Sequence, residues 1–163
     1  MTKLFLSLHV IAAVLAIGPV TVAASMFPKA LRRAHAAPAD REAYAALRLL
    51  HRICRVYAGV GLAVPVFGFA TASSLGVLGS AWLIVSILLT AAAAAVLALL
   101  ILPAQGRALA TLRPPRRGNP DGEGEASVHR VASRLAMLTG VFNLLWATVT
   151  VLMIIRPGST TGA

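Results

Sequence analysis

The stretch that most constrains this chain is Leu4–Phe27, LFLSLHVIAAVLAIGPVTVAASMF, which carries no formally charged side chain and one ionisable one, His9. Wound as a helix at about 1.5 Å per residue it is roughly 36 Å long, enough to cross a hydrocarbon core of about 30 Å. A helix apolar on every side has no place on the surface of a water-soluble fold. Three further runs of this kind follow, Ile53–Ala72, Ala81–Leu102 and Val131–Ile155, and the charged residues gather at their ends and between them. A hydrophobic share of 58% against 12% charged lies outside the range of soluble domains, so the chain reads as one all-α membrane domain, residues 1–163. The expected architecture is a four-transmembrane-helix up-down bundle. Its spans fall at about 4–27, 53–72, 81–102 and 131–155, with long connections at about 28–52 and 103–130.

Local signals punctuate the spans. Ala23-Ala24-Ser25 resembles a signal-peptide cleavage site, but the apolar run before it exceeds the usual core of about 7–15 residues, so an uncleaved span is the reading. Gly18-Pro19 is expected to loosen or kink the first helix, and Pro28 to open a basic, alanine-rich connection. Pro38 and Asp40 read as a turn and a helix N-cap, with Glu42 at the positive helix end. Arg41, Arg48, Arg52 and Arg55 then fall on one stripe, suited either to lipid headgroups at the membrane surface or to plain solvation. Ser73–Ser80 is an uncharged turn, Trp82 stands where an interfacial aromatic belongs, and TAAAAAVLALL lets a neighbouring helix approach closely. Pro103 is expected to end the third span. The following RPPRRGNPDGEGE has the composition of a disordered connection, and Pro157–Ala163 that of an unstructured tail. Arg134, just inside the fourth span, can snorkel outward.

The basic residues sort the two sides. Lys29, Arg32, Arg33, Arg41, Arg48, Arg52 and Arg55 lie in or beside the first long connection, and Arg107, Arg113, Arg116, Arg117, Arg130 and Arg134 in or beside the second. Only Lys3 and Arg156 remain for the other side. The positive-inside rule therefore puts both connections in the cytoplasm and both termini outside, in a bacterial cytoplasmic membrane. The net charge of +10 reads as membrane-orienting, and without interleaved aromatics it makes no case for nucleic acid as a partner. The lone Cys54 excludes an internal disulfide and offers no zinc spacing.

Candidate chemistry centres on histidine. His9 is in register with Ala13, Ala16, Val20 and Ala23; His51 with Cys54, Ala58, Gly61, Pro65, Gly68 and Ala72; His129 with Ser133, Ala136, Gly140, Asn143, Ala147 and Thr150. Small residues at alternating steps of three and four mark a face packed on another helix, so all three histidines are expected to point into the bundle. His9, roughly 8 Å below the outer end of its helix, is a candidate haem ligand through an imidazole nitrogen. Met153 is the one second ligand at that depth, and the plainer alternative is a neutral ring hydrogen-bonded to the next helix. His51, Cys54 and His129 gather at the inner headgroup level as a candidate but incomplete metal-ligand set. Asn143, near mid-membrane, needs an internal hydrogen-bond partner. All five acidic residues (Asp40, Glu42, Asp121, Glu123 and Glu125) lie in the connections, whereas a pump or secondary transporter calls for one within a span. A channel would have to use Asn143, Thr139, Thr90 and Ser86. No Ser-His-Asp set, carboxylate pair or glycine-rich phosphate loop is present, so the residues by themselves mark no active site and leave enzymatic activity open.

The opening LHVIAAVLAIGP has histidine near the outer start of the first span and glycine nine positions on. A basic loop follows, then a second helix entered through Arg48–Arg55 with LHRICRVYAG. This pattern resembles the small four-span integral membrane proteins of bacteria with no assigned function. More remotely it is similar to the four-helix membrane domains of copper-resistance D-type proteins and of bacterial protoporphyrinogen oxidase. That likeness implies a haem- or metal-binding role for His9, with haem b as the cofactor; the tryptophan often found between the histidine and the glycine is absent here. The leading expectation is a structural or accessory protein of a membrane complex, whose partners are the lipid bilayer and other membrane subunits or a second copy. A haem-binding redox or haem-handling protein using His9 is the alternative, and a small transporter or channel the third.

Overall fold

The computed structural model describes residues 1–112 and 123–158, so the expectation of disorder after Leu112 falls mostly on residues outside this description, as does that for most of the tail. Among the described residues there is no strand. In chain order come α1 (Thr2–Ala36), α2 (Arg41–Val60), α3 (Ala63–Leu75), α4 (Ala81–Ala95), a π-helical turn (Val96–Ile101), α5 (Leu102–Thr111) and α6 (Glu123–Ile155). Taken with their continuations, four helices are long and apolar enough to cross a membrane: Thr2–Ala36, Arg41–Leu75, Ala81–Thr111 and Glu125–Ile155.

The helices outrun the apolar runs. Pro28 does not end α1, which passes through Pro19 and Pro28 to Ala36 and carries Arg32 and Arg33 on its exposed side. The first connection shrinks to a turn at Pro38 and the N-cap Asp40, whose carboxylate accepts from the N–H groups of Glu42 and Ala43, each at 3.0 Å. The bond from Ala43, foremost, holds the Asp40 carboxyl below the usual carboxylate range, and the Arg33 guanidinium 3.5 Å away adds to it. Nor does Pro103 stop its helix, which continues as α5 to Thr111. Proline lacks an N–H, and its ring crowds the carbonyl four residues back. The chain absorbs that conflict in the wider π turn just upstream. At Pro65 it breaks instead: α2 ends at Val60, and the Gly61 carbonyl, the one the ring would crowd, accepts from Val64 N–H at 3.1 Å. The α3–α4 turn hangs on Gly76, whose φ of 69° is left-handed and open to glycine at no steric cost.

α1 is the central element, packed along α2, α3 and α6; α4 packs on α6, and α5 on α2 and α6. Toward the arginine-rich end bulky side chains fill the interior, with Phe27, Leu31, Leu47, Ile101 and Leu135 fully buried. Toward the termini the α1–α3 contact is made by small residues, Ala12 and Ala16 beside Val64, and α3 and α4 part around a cleft. Val14, Leu62, Leu88, Leu99, Leu144 and Ile154 are all more than half exposed, an outer coat that only hydrocarbon satisfies.

The small-residue seams expected to face inward do so on α1, where Ala16, Val20 and Ala23 are buried, and in part on α2–α3, where Cys54 and Ala72 are buried, Ala58, Gly61 and Gly68 half-buried and Pro65 exposed. On α6 the expectation fails. Its buried positions are Ala132, Leu135, Thr139, Phe142 and Val149, while His129, Ser133, Ala136, Gly140, Ala147 and Thr150 are exposed. The cause is matching of volume: α6 meets alanines of α1 and α4, and the space they leave takes bulky partners. Trp82, in the first turn of α4, is buried against Ala72, Leu83 and Met153.

Candidate functional site

His9 reaches from α1 to α3. Its Nδ1–H donates to the Val64 carbonyl over 2.8 Å. The ring lies against Gly68, where an added Cβ would stand 2.8 Å from Cε1 and 3.0 Å from Nδ1, so Gly68 is the notch that admits the imidazole. A carbonyl only accepts, so Nδ1 carries a proton, and in the neutral tautomer Nε2 keeps its lone pair. His9 lines an apolar cleft of about 320 Å³ between α3 and α4, walled by Val64, Phe69, Leu83 and Ile87 and reached from α6 by Met153 and Arg156. His9 and Met153, the pair singled out in the sequence, thus line one cleft. At its rim the Arg156 guanidinium stands 5.7 Å from the centre of the Trp82 ring, a cation–π contact that ties the end of α6 to the start of α4.

A second polar cluster lies toward the arginine-rich end. His51 Nδ1–H donates to Gln105 Oε1 over 3.1 Å, and Gln105 Nε2 donates to Cys54 Sγ over 3.7 Å. Gln105 and Cys54 are fully buried. The structure brings His51 and Cys54 together, as their spacing implied, but through an amide that sequence reading passed over. Ala93, Leu97, Ile101 and Gln105 are buried at successive steps of four, where an α-helix would alternate three and four. The extra residue of the π turn turns Gln105 inward. His129 takes no part in this cluster; it lines a separate cleft with Arg32, His35 and Glu125. Among the described residues no group of three or more His, Cys, Asp or Glu is placed to hold a metal ion.

Residues 3–157 match the family model described as predicted integral membrane protein (DUF2269). The chain belongs to this family. No curated protein and no solved structure matches it. DUF2269 membership agrees with the four apolar helices in establishing a multi-pass integral membrane protein. The remoter likeness to copper-resistance D-type domains gains no support from these comparisons. Both the His9 cleft and the His51–Gln105–Cys54 cluster fall within the matched DUF2269 region.

The remaining polar residues of the DUF2269 domain are placed less productively. Ser86 and Thr90 donate to carbonyls four residues back on their own helix. On α6, Thr139 Oγ1, Asn143 Oδ1 and Trp146 Nε1 are buried and, among the described residues, lack a hydrogen-bond partner. The stripe Arg41, Arg48, Arg52 and Arg55 is exposed throughout.

Proposed function

We propose that this protein is an accessory component of the bacterial cytoplasmic membrane, both termini outside, that holds a small and largely apolar molecule beside His9. The observation that carries the reading is the imidazole itself: an ionisable side chain set into the wall of an apolar cleft, with Nδ1 fixed by the Val64 carbonyl. Intramembrane ionisable groups are costly and tend to be retained for function. The free Nε2 lone pair would accept a hydrogen bond from a hydroxyl or amine on the occupant, while the cleft walls take its apolar body. The accessory role is supported by the outward face of α6, where Ser133, Ala136, Gly140 and Ala147 leave room for a partner helix or a second copy to come close. The orientation rests on the arginine count at the two ends. The test is extraction of the full chain in mild detergent, followed by mass spectrometry of its organic extract. An apolar species at about one per chain, absent from a folded His9→Ala protein, is expected; identical extracts from both proteins would refute the reading.

A second reading, haem b held by His9, is favoured by the same ring. Histidines that bind metal characteristically donate their other nitrogen to a carbonyl or carboxylate, as His9 Nδ1 does. Met153 in the same cleft offers the sulfur of a histidine–methionine pair. Bound haem would supply one-electron chemistry, with His9 holding and orienting it. A Soret band that vanishes in His9→Ala is the expected sign, and colourless protein from haem-supplemented cells would rule this reading out.

A further inference from the structure

At the arginine-rich end a second cleft, of about 390 Å³, opens between the last turns of α1, α5 and the first turns of α6. Its walls are apolar, Leu31 from α1, Leu112 after α5, and Val131 with Leu135 from α6, and Arg107 and Arg134 line it from two different helices. Among the described residues neither guanidinium makes an ion pair, and the one ion pair these residues form, Arg33 with Asp40, lies outside the cleft. Half-buried His35 lines this cleft too and is shared with the neighbouring one, where Glu125 stands among Arg32 and His129. Among the described residues the local balance is therefore positive, two arginines without an ion pair over a greasy floor.

Depth narrows the occupant. Arg134 precedes Ile155 by twenty-one residues, roughly 32 Å along α6, which sets its guanidinium one hydrocarbon thickness away from the other end of that helix. We infer that this cleft is a binding site for one anionic phospholipid of the arginine-rich leaflet. The phosphate sits between Arg107 and Arg134, and the first carbons of the acyl chains lie on Leu31, Val131 and Leu135. Basic clefts between membrane helices at the cytoplasmic level recognise headgroups in this way, each arginine adding attraction and the apolar wall rejecting a free hydrated anion. The inference depends on neither reading of His9.

The experiment is native mass spectrometry of the full-length protein in detergent, titrated with phosphatidylglycerol and, separately, with zwitterionic phosphatidylethanolamine. One phosphatidylglycerol per chain is expected, with phosphatidylethanolamine bound far more weakly. Replacing both arginines (Arg107→Gln with Arg134→Gln) should weaken phosphatidylglycerol about twenty-five-fold, a factor of about five for each charge. The charge-matched control Arg48→Gln with Arg52→Gln, on the exposed stripe of α2, should leave binding unchanged, and far-ultraviolet circular dichroism reports whether each variant keeps its helices. Equal weakening by the control pair would mean diffuse surface attraction and overturn the site. Displacement of the lipid by equimolar glycerol phosphate would mean an anion site with no lipid preference, and would overturn it as well.

Discussion

Glycine at position 68 decides whether His9 can stand where it does. A methyl group added there falls 2.8 Å from the imidazole Cε1, so Gly68→Ala should push the ring off the Val64 carbonyl and cost about 1–3 kcal/mol, the usual range for overpacking. In a His9→Ala background the obstacle is gone, and the same substitution should cost little. Thermal unfolding of the four proteins in one detergent measures the coupling; equal penalties in both backgrounds would show that the notch and the ring are not partners. Gln105 makes a smaller claim. Gln105→Leu keeps the bulk but strips His51 and Cys54 of their shared contact, and hydrogen bonds between membrane helices are worth about 1 kcal/mol. A loss of that order in unfolding free energy is expected, and a much larger one would mean that Gln105 supports more than these two side chains. His9, His51 and Cys54 were legible in the sequence because ionisable or small residues in an apolar run invite notice. Gln105 was not, because it follows Pro103 in a stretch that reads as already outside the bundle.

The π turn is the element whose effect sequence periodicity is least able to foresee. It inserts one residue into a helix that would otherwise keep its register from Ala81 to Thr111. Deleting Leu99, which is 70% exposed within that turn, should relax it to ordinary α-helix and leave the flanking faces where they are. Deleting Leu88, equally lipid-facing but in regular helix, should rotate everything beyond it by roughly 100° and misplace the buried seam. Yield of folded protein after detergent extraction, with circular dichroism, compares the two; similar damage from both would contradict the assignment of the extra residue to Val96–Ile101. Four long helices could be read from apolar length alone, since no other structure lets so many unbroken greasy residues bury their backbone. Their breaks could not, because the prolines are met in three ways: by a π turn before Pro103, by a gap at Gly61, and within one unbroken helix at Pro19 and Pro28 in α1. The same limit explains the seam on α6: small residues mark a close approach, but which face is approached depends on what the neighbour offers.

For the whole molecule the prediction concerns sidedness. Cys54 is the single cysteine and is buried, so new cysteines can be labelled against a quiet background. Gly79→Cys, in the exposed turn before α4, should react with a membrane-impermeant maleimide on intact spheroplasts, and Ala39→Cys, exposed between α1 and α2, only after lysis. The reverse pattern would invert the orientation drawn from the arginines. One consequence of the architecture remains. The cleft beside His9 lies between α3 and α4, with Leu6, Phe69 and Ile87 in its lining, so a molecule entering between those helices would come from hydrocarbon and not from water. Partitioning into oil would then select an occupant before shape does, and a compound that dissolves readily in buffer would be poorly suited to reach it.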